Sequence, residues 1–249
     1  MRDGGISLKV ADQTLEGTLL APRKLIPGIL FVHGWGGSQE QDLKRADEVA
    51  QLGCLCFTFD LRGHAVTEPQ RLEVTRQDGL ADIVAAYDFL AAQEMVDSSA
   101  IAVVGTSYGG YLATLLTELR PINWLALRVP ALYPDAEWST PKALLNSQKI
   151  RRYRHGFRGS RANRALRACS KFAGDVLIVE SEHDEYVPHP AIASFIAAFR
   201  QANSLSYRVI RGADHALRDE TCRKAYNELL ISWIEEMVRG ARRSNVTTS

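Results

Sequence analysis

The chain has 249 residues, 46% of them hydrophobic and 24% charged. These fractions exclude a disordered chain, a collagen-like chain and a small disulfide scaffold, and a chain this long buries a full core without staples. Thirty Lys and Arg against 29 Asp and Glu leave a net charge of +1. That balance argues against a dedicated nucleic-acid binder, so any electrostatic feature must be local.

The N-terminus, MRDGGISLKVADQ, lacks the apolar region of a signal peptide. No stretch approaches the ~18 uninterrupted apolar residues of a spanning helix. The chain therefore reads as soluble and cytoplasmic, with no membrane partner, and the sequon Asn245-Val246-Thr247 carries little weight. The four cysteines are Cys54, Cys56, Cys169 and Cys222. Cys54 and Cys56 alternate inside CLCFTFD, which puts them on one side of a strand. They are expected to be small core residues, not a metal or redox pair.

In chain order, ISLKV and TLEGTLLAP read as an opening antiparallel pair of strands. GILFVHG is a buried strand, followed at helical spacing by QEQDLKRADEVAQLG. CLCFTFD is the next strand. Leu80, Ile83, Val84, Tyr87 and Leu90 then form one apolar stripe of a helix over 77–95. AIAVVG is a strand that runs straight into a helix starting near Ser107. NWLALRV, DVLIVES and LSYRVI are three further strands, with a helix near 188–202 between the last two. The closing helix sets Tyr226, Leu229, Leu230, Trp233, Ile234 and Met237 on one face.

Such alternation predicts a mostly parallel sheet with helices on both faces, and the near-continuous apolar strands agree with it. One domain over 1–240 is expected. Residues 129–172 interrupt the rhythm with Pro130, Pro134 and Pro141, then an Arg-rich stretch and no clear strand. A long interruption of this kind in a compact fold is usually functional or disordered. The polar stretch 241–249 is expected to be a flexible tail.

The strongest chemical signal is Gly105-Thr106-Ser107-Tyr108-Gly109 between a strand and a helix. A serine on such a turn is forced to its tip with the hydroxyl exposed, while small flanking residues let strand and helix pass closely. A glycine-rich turn with a capping serine is the plainer reading.

With this elbow in place, the chain resembles the α/β-hydrolase family over most of its length. The resemblance implies a mostly parallel eight-stranded sheet, helices on both faces and a short cap inserted at about 129–172. His33-Gly34-Trp35-Gly36-Gly37 resembles the family's oxyanion loop, so the N–H groups of Trp35 and Tyr108 would form the oxyanion hole. His33 would brace that loop. In Glu182-His183-Asp184-Glu185-Tyr186-Val187-Pro188 the family pattern favours Asp184 as the acid, with Glu180, Glu182 and Glu185 as rivals. His215 follows the last strand, where the family places its histidine, and the order Ser107, Asp184, His215 is the one this fold uses. Phe59-Asp60-Leu61-Arg62-Gly63-His64 resembles a further, structural loop of the family, with Ala65 standing where a second glycine is common.

The physical logic is nucleophilic catalysis. A serine hydroxyl needs a base to take its proton as it attacks. A buried carboxylate fixes the tautomer of that base, and two N–H groups stabilise the oxyanion. The resemblance thus implies a serine hydrolase of carboxylic esters, or of related thioesters, lactones or amides, with dienelactone hydrolases and acyl-peptidase domains as similar proteins. Prolyl-oligopeptidase-type peptidases usually carry an extra N-terminal domain, for which this sequence shows no counterpart. Dehalogenases and epoxide hydrolases use an aspartate where this chain has Ser107. The expected partner is a small-molecule ester or acyl substrate, and no metal or organic cofactor is expected. A ligand-binding protein that keeps the fold with little turnover is the alternative. Finally, residues 149–167 hold Lys149, Arg151, Arg152, Arg154, Arg158, Arg161, Arg164 and Arg167 and no acid. They read as a solvated cap face, as an electrostatic funnel for anions, or as a contact for nucleic acid or an acidic partner.

Overall fold

Successive side chains of a strand point to opposite faces of its sheet, and here both faces are apolar. In β3 (Ile26–Val32), Leu30 and Val32 join one core while Ile29 and Phe31 join another. The strands β4 (Leu55–Thr58), β5 (Val96–Thr106), β6 (Trp124–Arg128), β7 (Asp175–His183) and β8 (Ser204–Asp214) flank it in the order β4-β3-β5-β6-β7-β8, every pair parallel. The structure is a computed structural model and describes residues 2–10, 13–21 and 25–247, with side chains over 25–241. The side chains of the Asn245 sequon lie outside the described residues.

The expectation of eight strands in one sheet needs correction. The opening strands β1 (Arg2–Val10) and β2 (Gln13–Ala21) pair with each other in full register, from Arg2↔Ala21 to Val10↔Gln13, and form a separate two-stranded sheet. A tight hairpin satisfies its inner backbone groups by itself. The main sheet accordingly has six strands, and among the described residues no ladder joins the hairpin to it.

Helices cover both faces. On one side lie α2 (Arg76–Ala91), α3 (Tyr108–Leu116), α5 (Arg164–Lys171) and α6 (His189–Ala198), contributing Ile83, Leu90, Tyr111, Leu112, Leu166 and Phe195. On the other side lie α1 (Glu40–Ala50) and α7 (Glu220–Thr247), with Val49, Tyr226, Leu230, Trp233 and Ile234. Helix α2 starts on a capping box in which Thr75 and Asp78 satisfy each other's backbone N–H. Helix α7 runs on into the stretch expected as a tail. Cys54 and Cys56 pack toward the same core without a disulfide between them, and burial pushes the Cys56 thiol up to about 12.

The chain runs from β3 outward to β4, then returns to place β5 on the other side of β3. This reversal opens a crevice at the carboxyl ends of β3 and β5, where open α/β sheets bind ligands. Between β6 and β7 no strand forms; the short α4 (Ser147–Arg154) and then α5 occupy the interruption.

Candidate active site

Ser107 stands at the tip of the turn between β5 and α3 with φ +52° and ψ −110°. A side-chain-bearing residue at positive φ is strained and needs support. The support is backbone hydrogen bonding: the Ser107 N–H donates to the Arg128 carbonyl at 2.9 Å, and its own carbonyl accepts from Ala131 at 2.9 Å and Tyr111 at 3.1 Å. The turn also demands close approach. A Cβ at Gly109 would lie 2.2 Å from the Val32 carbonyl oxygen, and one at Gly105 would lie 2.7 Å from the Gly110 Cα. The glycines flanking the serine are therefore steric necessities.

Three of the sequence candidates converge. The Ser107 hydroxyl lies 3.1 Å from His215 Nε2, and His215 Nδ1 lies 2.6 Å from Asp184 Oδ2. An acceptor at Nδ1 draws the ring proton there and leaves the Nε2 lone pair facing the serine. The Asp184 side chain is 1% exposed, against 23% for His215. Its second oxygen accepts the N–H groups of Tyr186 and Val187, both at 2.8 Å. That turn explains the spacing from Asp184 to Val187-Pro188.

The rival carboxylates are engaged elsewhere. Glu180 binds His189 at 3.0 Å and accepts the Tyr207 hydroxyl. Glu182 accepts the Gly212 N–H at 2.7 Å, and Glu185 is exposed. Asp214 accepts the Arg218 N–H instead of reaching its neighbour His215.

The loop after β3 also packs against the serine. A Cβ at Gly34 would lie 3.2 Å from Ser107 Cβ, so the loop passes directly against the nucleophile. Among the described residues no acceptor takes the N–H of Trp35 or of Tyr108. Two buried histidines hold the loop. His33 Nε2 accepts the Leu61 N–H at 3.0 Å while its Nδ1 faces the Gly34 carbonyl at 2.8 Å. His64 Nδ1 faces the carbonyls of Leu61 and Arg62, leaving Nε2 to accept the Gly36 N–H at 2.9 Å. Burial, reinforced by His33, lowers the pKa of His64, which keeps it neutral for this role. Ala65, which stands where the family commonly has a glycine, adopts φ +47°, the left-handed region that glycine favours.

Sequence reasoning missed Arg128. This buried residue ends β6; its carbonyl holds the Ser107 N–H, and its guanidinium donates to the His215 carbonyl at 2.9 Å. One residue therefore ties the serine turn to the histidine loop. The available signal was a cation closing the apolar run NWLALRV. Among the described residues, no group of three or more His, Cys, Asp or Glu side chains is placed to hold a metal ion, and no helix is long and apolar enough to cross a membrane.

The parallel sheet, the strained serine turn after β5 and the histidine after β8 define an α/β-hydrolase fold. Solved structures share it at low sequence identity. Dienelactone hydrolase from Anabaena variabilis superposes with a TM-score of 0.61 at 19% identity, covering 94% of this chain and 97% of that chain. Est1E from Butyrivibrio proteoclasticus with ferulic acid bound gives 0.61 at 20%, covering 86% and 88%. Within that fold the chain belongs to the prolyl oligopeptidase family, whose profile matches residues 44–241. It is also 30% identical to protein phosphatase methylesterase 1 of Saccharomyces cerevisiae over 123 residues, 43% of this chain and 31% of that protein. An uncharacterized protein of Mycobacterium tuberculosis is 33% identical over 104 residues, 42% of this chain and 36% of that protein. The matches thus span about a third of the length of these curated relatives.

Proposed function

We propose that the protein is a serine hydrolase that cleaves carboxylic esters, or related thioester, lactone or amide bonds, through an acyl-enzyme. The observation that carries this reading is the continuous line Ser107–His215–Asp184, with the free N–H groups of Trp35 and Tyr108 in the facing loops. Ser107 Oγ attacks the acyl carbon as its proton passes to His215 Nε2. Asp184 holds the tautomer of the imidazole and stabilises the imidazolium. The Trp35 and Tyr108 N–H groups receive the oxyanion, and the amino end of α3 adds its positive potential. When the tetrahedral adduct collapses, His215 returns the proton to the leaving group. Water, deprotonated by the same histidine, then releases the acid and restores Ser107.

Similarity to a methylesterase, to a dienelactone hydrolase and to Est1E with ferulic acid bound supports the ester as substrate class. The family match favours one second reading, an amide of a peptide, which the same groups would open through the same intermediate. The substrate is read as a small molecule, with no nucleic acid, cofactor or metal taking part, and four cysteines without a disulfide support a cytoplasmic setting.

A fluorophosphonate probe is the test. It should label the wild type stoichiometrically and leave Ser107→Ala unlabelled, and a panel of p-nitrophenyl esters should be turned over where the matching p-nitroanilides are slow. Absence of labelling in folded protein would replace the enzyme with a ligand-binding protein. Faster anilide than ester cleavage would favour the peptidase.

A further inference from the structure

A pocket of about 550 Å³ adjoins the candidate active site, walled by Trp35 of the loop after β3 and by Tyr186. The Tyr186 ring centroid lies 5.1 Å from that of His215, and the Trp35 ring centroid lies 5.6 Å from that of Tyr108, so two walls of the pocket touch residues of the site. Three cations, Lys142, Arg151 and Arg154, line it against one carboxylate, Glu185. Among the described residues none of the three cations has an ion-pair partner. Other arginines of the same segment are engaged: Arg167 pairs with Asp135 at 3.0 Å, and Arg158 lies over the Tyr153 ring and donates to its carbonyl.

Lys142 is the best placed of the three. Its backbone N–H donates to the Val74 carbonyl at 2.7 Å, and the preceding Pro141 bridges to Thr75, so this piece of chain is pinned to the start of α2. Its Nζ sits 4.7 Å from the Trp35 ring centroid, 5.4 Å from Tyr133 and 5.5 Å from Tyr108. Three aromatic rings steady the ammonium by cation–π attraction, and the Tyr133 hydroxyl offers it a hydrogen bond, but none of these partners is a carboxylate. Trp35 and Tyr108 are also the two residues whose N–H groups are proposed above to form the oxyanion hole. Deeper in, Arg154 is buried and spends its donors on the carbonyls of Leu132, at 3.0 Å, and Tyr186, at 2.9 Å. The buried Tyr133 lies against both cations. Burial acts to raise its phenol, yet Lys142 and Arg154 outweigh that and pull its pKa below the ordinary tyrosine value.

Neither the half-buried Lys142 nor the buried Arg154 pairs with a carboxylate, so an anion that joins them gains charge-assisted contacts. The neighbouring Leu145 and Ile150 provide apolar wall for an alkyl arm. We propose that this pocket binds the carboxylate end of the substrate, with Lys142 as the recognising cation, so that the preferred esters carry a terminal carboxylate. This rests on the reading of Ser107 as the nucleophile. A single pinned ammonium beside apolar wall suits a monoanion on an alkyl arm better than a phosphate dianion.

The test compares mono-p-nitrophenyl adipate with neutral p-nitrophenyl hexanoate, and separately titrates adipate by calorimetry at low salt. The wild type should prefer the anionic ester in kcat/KM by about tenfold or more, the scale of one charge-assisted hydrogen bond. Lys142→Met should bring that ratio close to one and abolish adipate binding, while Lys142→Arg should keep part of both. A wild-type ratio near one, an unchanged ratio in Lys142→Met, or equal adipate binding by the two proteins overturns the anion pocket. Tighter binding of inorganic phosphate than of adipate overturns the carboxylate assignment. The two readings fail separately. If neither ester is cleaved yet adipate binds in a Lys142-dependent way, the nucleophile assignment falls and the pocket stands. If the neutral ester is cleaved and adipate neither binds nor is preferred, the pocket falls and the hydrolase stands.

Discussion

The floor of the site and the segment above it are organised by different physics. On the floor, Ser107, Asp184 and His215 each follow a parallel strand, and backbone hydrogen bonds or close glycine contacts fix the turns. Above it, residues 129–172 contribute no strand, and their charged side chains take direction from tertiary contacts: Arg154 turns inward to two carbonyls while Arg152 and Arg161 face water. A strand end aims a side chain through the backbone alone, whereas a short cap helix aims it through whatever it packs on. The floor should therefore respond to single-atom changes, and the cap only where a charge points inward.

The sharpest way to break that contrast is at Asp184. Asp184→Asn keeps the shape and removes the acceptor that fixes the His215 tautomer, so turnover should fall about 10³–10⁴-fold with little change in melting temperature. Glu182→Gln, which loses only a hydrogen bond to the Gly212 N–H, should stay within an order of magnitude. Measuring kcat for both variants on one ester checks it. The reverse pattern would show that the wrong carboxylate had been paired with His215.

The same contrast explains what was legible in the sequence. Ser107, Asp184 and His215 could be singled out because strand–turn–helix geometry constrains sequence locally: Gly105 and Gly109 have no room for a Cβ, and the Asp184 turn is closed by the N–H of Val187. The parallel order could be inferred from doubly buried strands, but the detachment of β1 and β2 could not, because an antiparallel pair has the same local pattern whether or not it joins a larger sheet. Arg128 escaped notice because its two contacts, to Ser107 and to His215, reach 21 and 87 residues away in sequence. The Arg-rich stretch was readable as charge but not as direction.

Arg128 offers a second test, of a positioning residue in the floor. Arg128→Met keeps the carbonyl that holds Ser107 and removes the donor to the His215 carbonyl. Because the guanidinium is buried and desolvation lowers its pKa, replacing it by an apolar side chain of similar length should leave stability within about 1–2 kcal/mol. With the histidine loop freed, kcat should drop roughly tenfold to a hundredfold, the order expected for a small misplacement of reacting groups, while KM moves less. Loss of stability with unchanged kcat would assign Arg128 to packing alone.

His64→Phe probes the oxyanion loop with a smaller effect. The ring volume is kept and the acceptor for the Gly36 N–H is lost, a net cost of about 0.5–1.5 kcal/mol for a part-buried hydrogen bond. Fluorophosphonate labelling should slow by roughly tenfold or less if part of that cost appears as loosening of Trp35. Unchanged labelling together with a lower melting temperature would place His64 in the scaffold only.

The smallest effect is expected on the outer face of the cap. Arg152 and Arg161 are exposed, and charges there act on the site only through solvent. At physiological salt the Debye length is about 8 Å, so a substrate more distant than that feels little of them. The double variant Arg152→Gln/Arg161→Gln should leave stability within about 0.5 kcal/mol, and kcat/KM for neutral and anionic esters should each change by less than a factor of about two at that salt. The anionic ester should lose slightly more than the neutral one when salt is lowered, because screening then weakens. A tenfold loss at physiological salt, confined to the anionic ester, would mean that the whole basic stretch steers substrate and that the inward–outward division of the cap has no functional consequence.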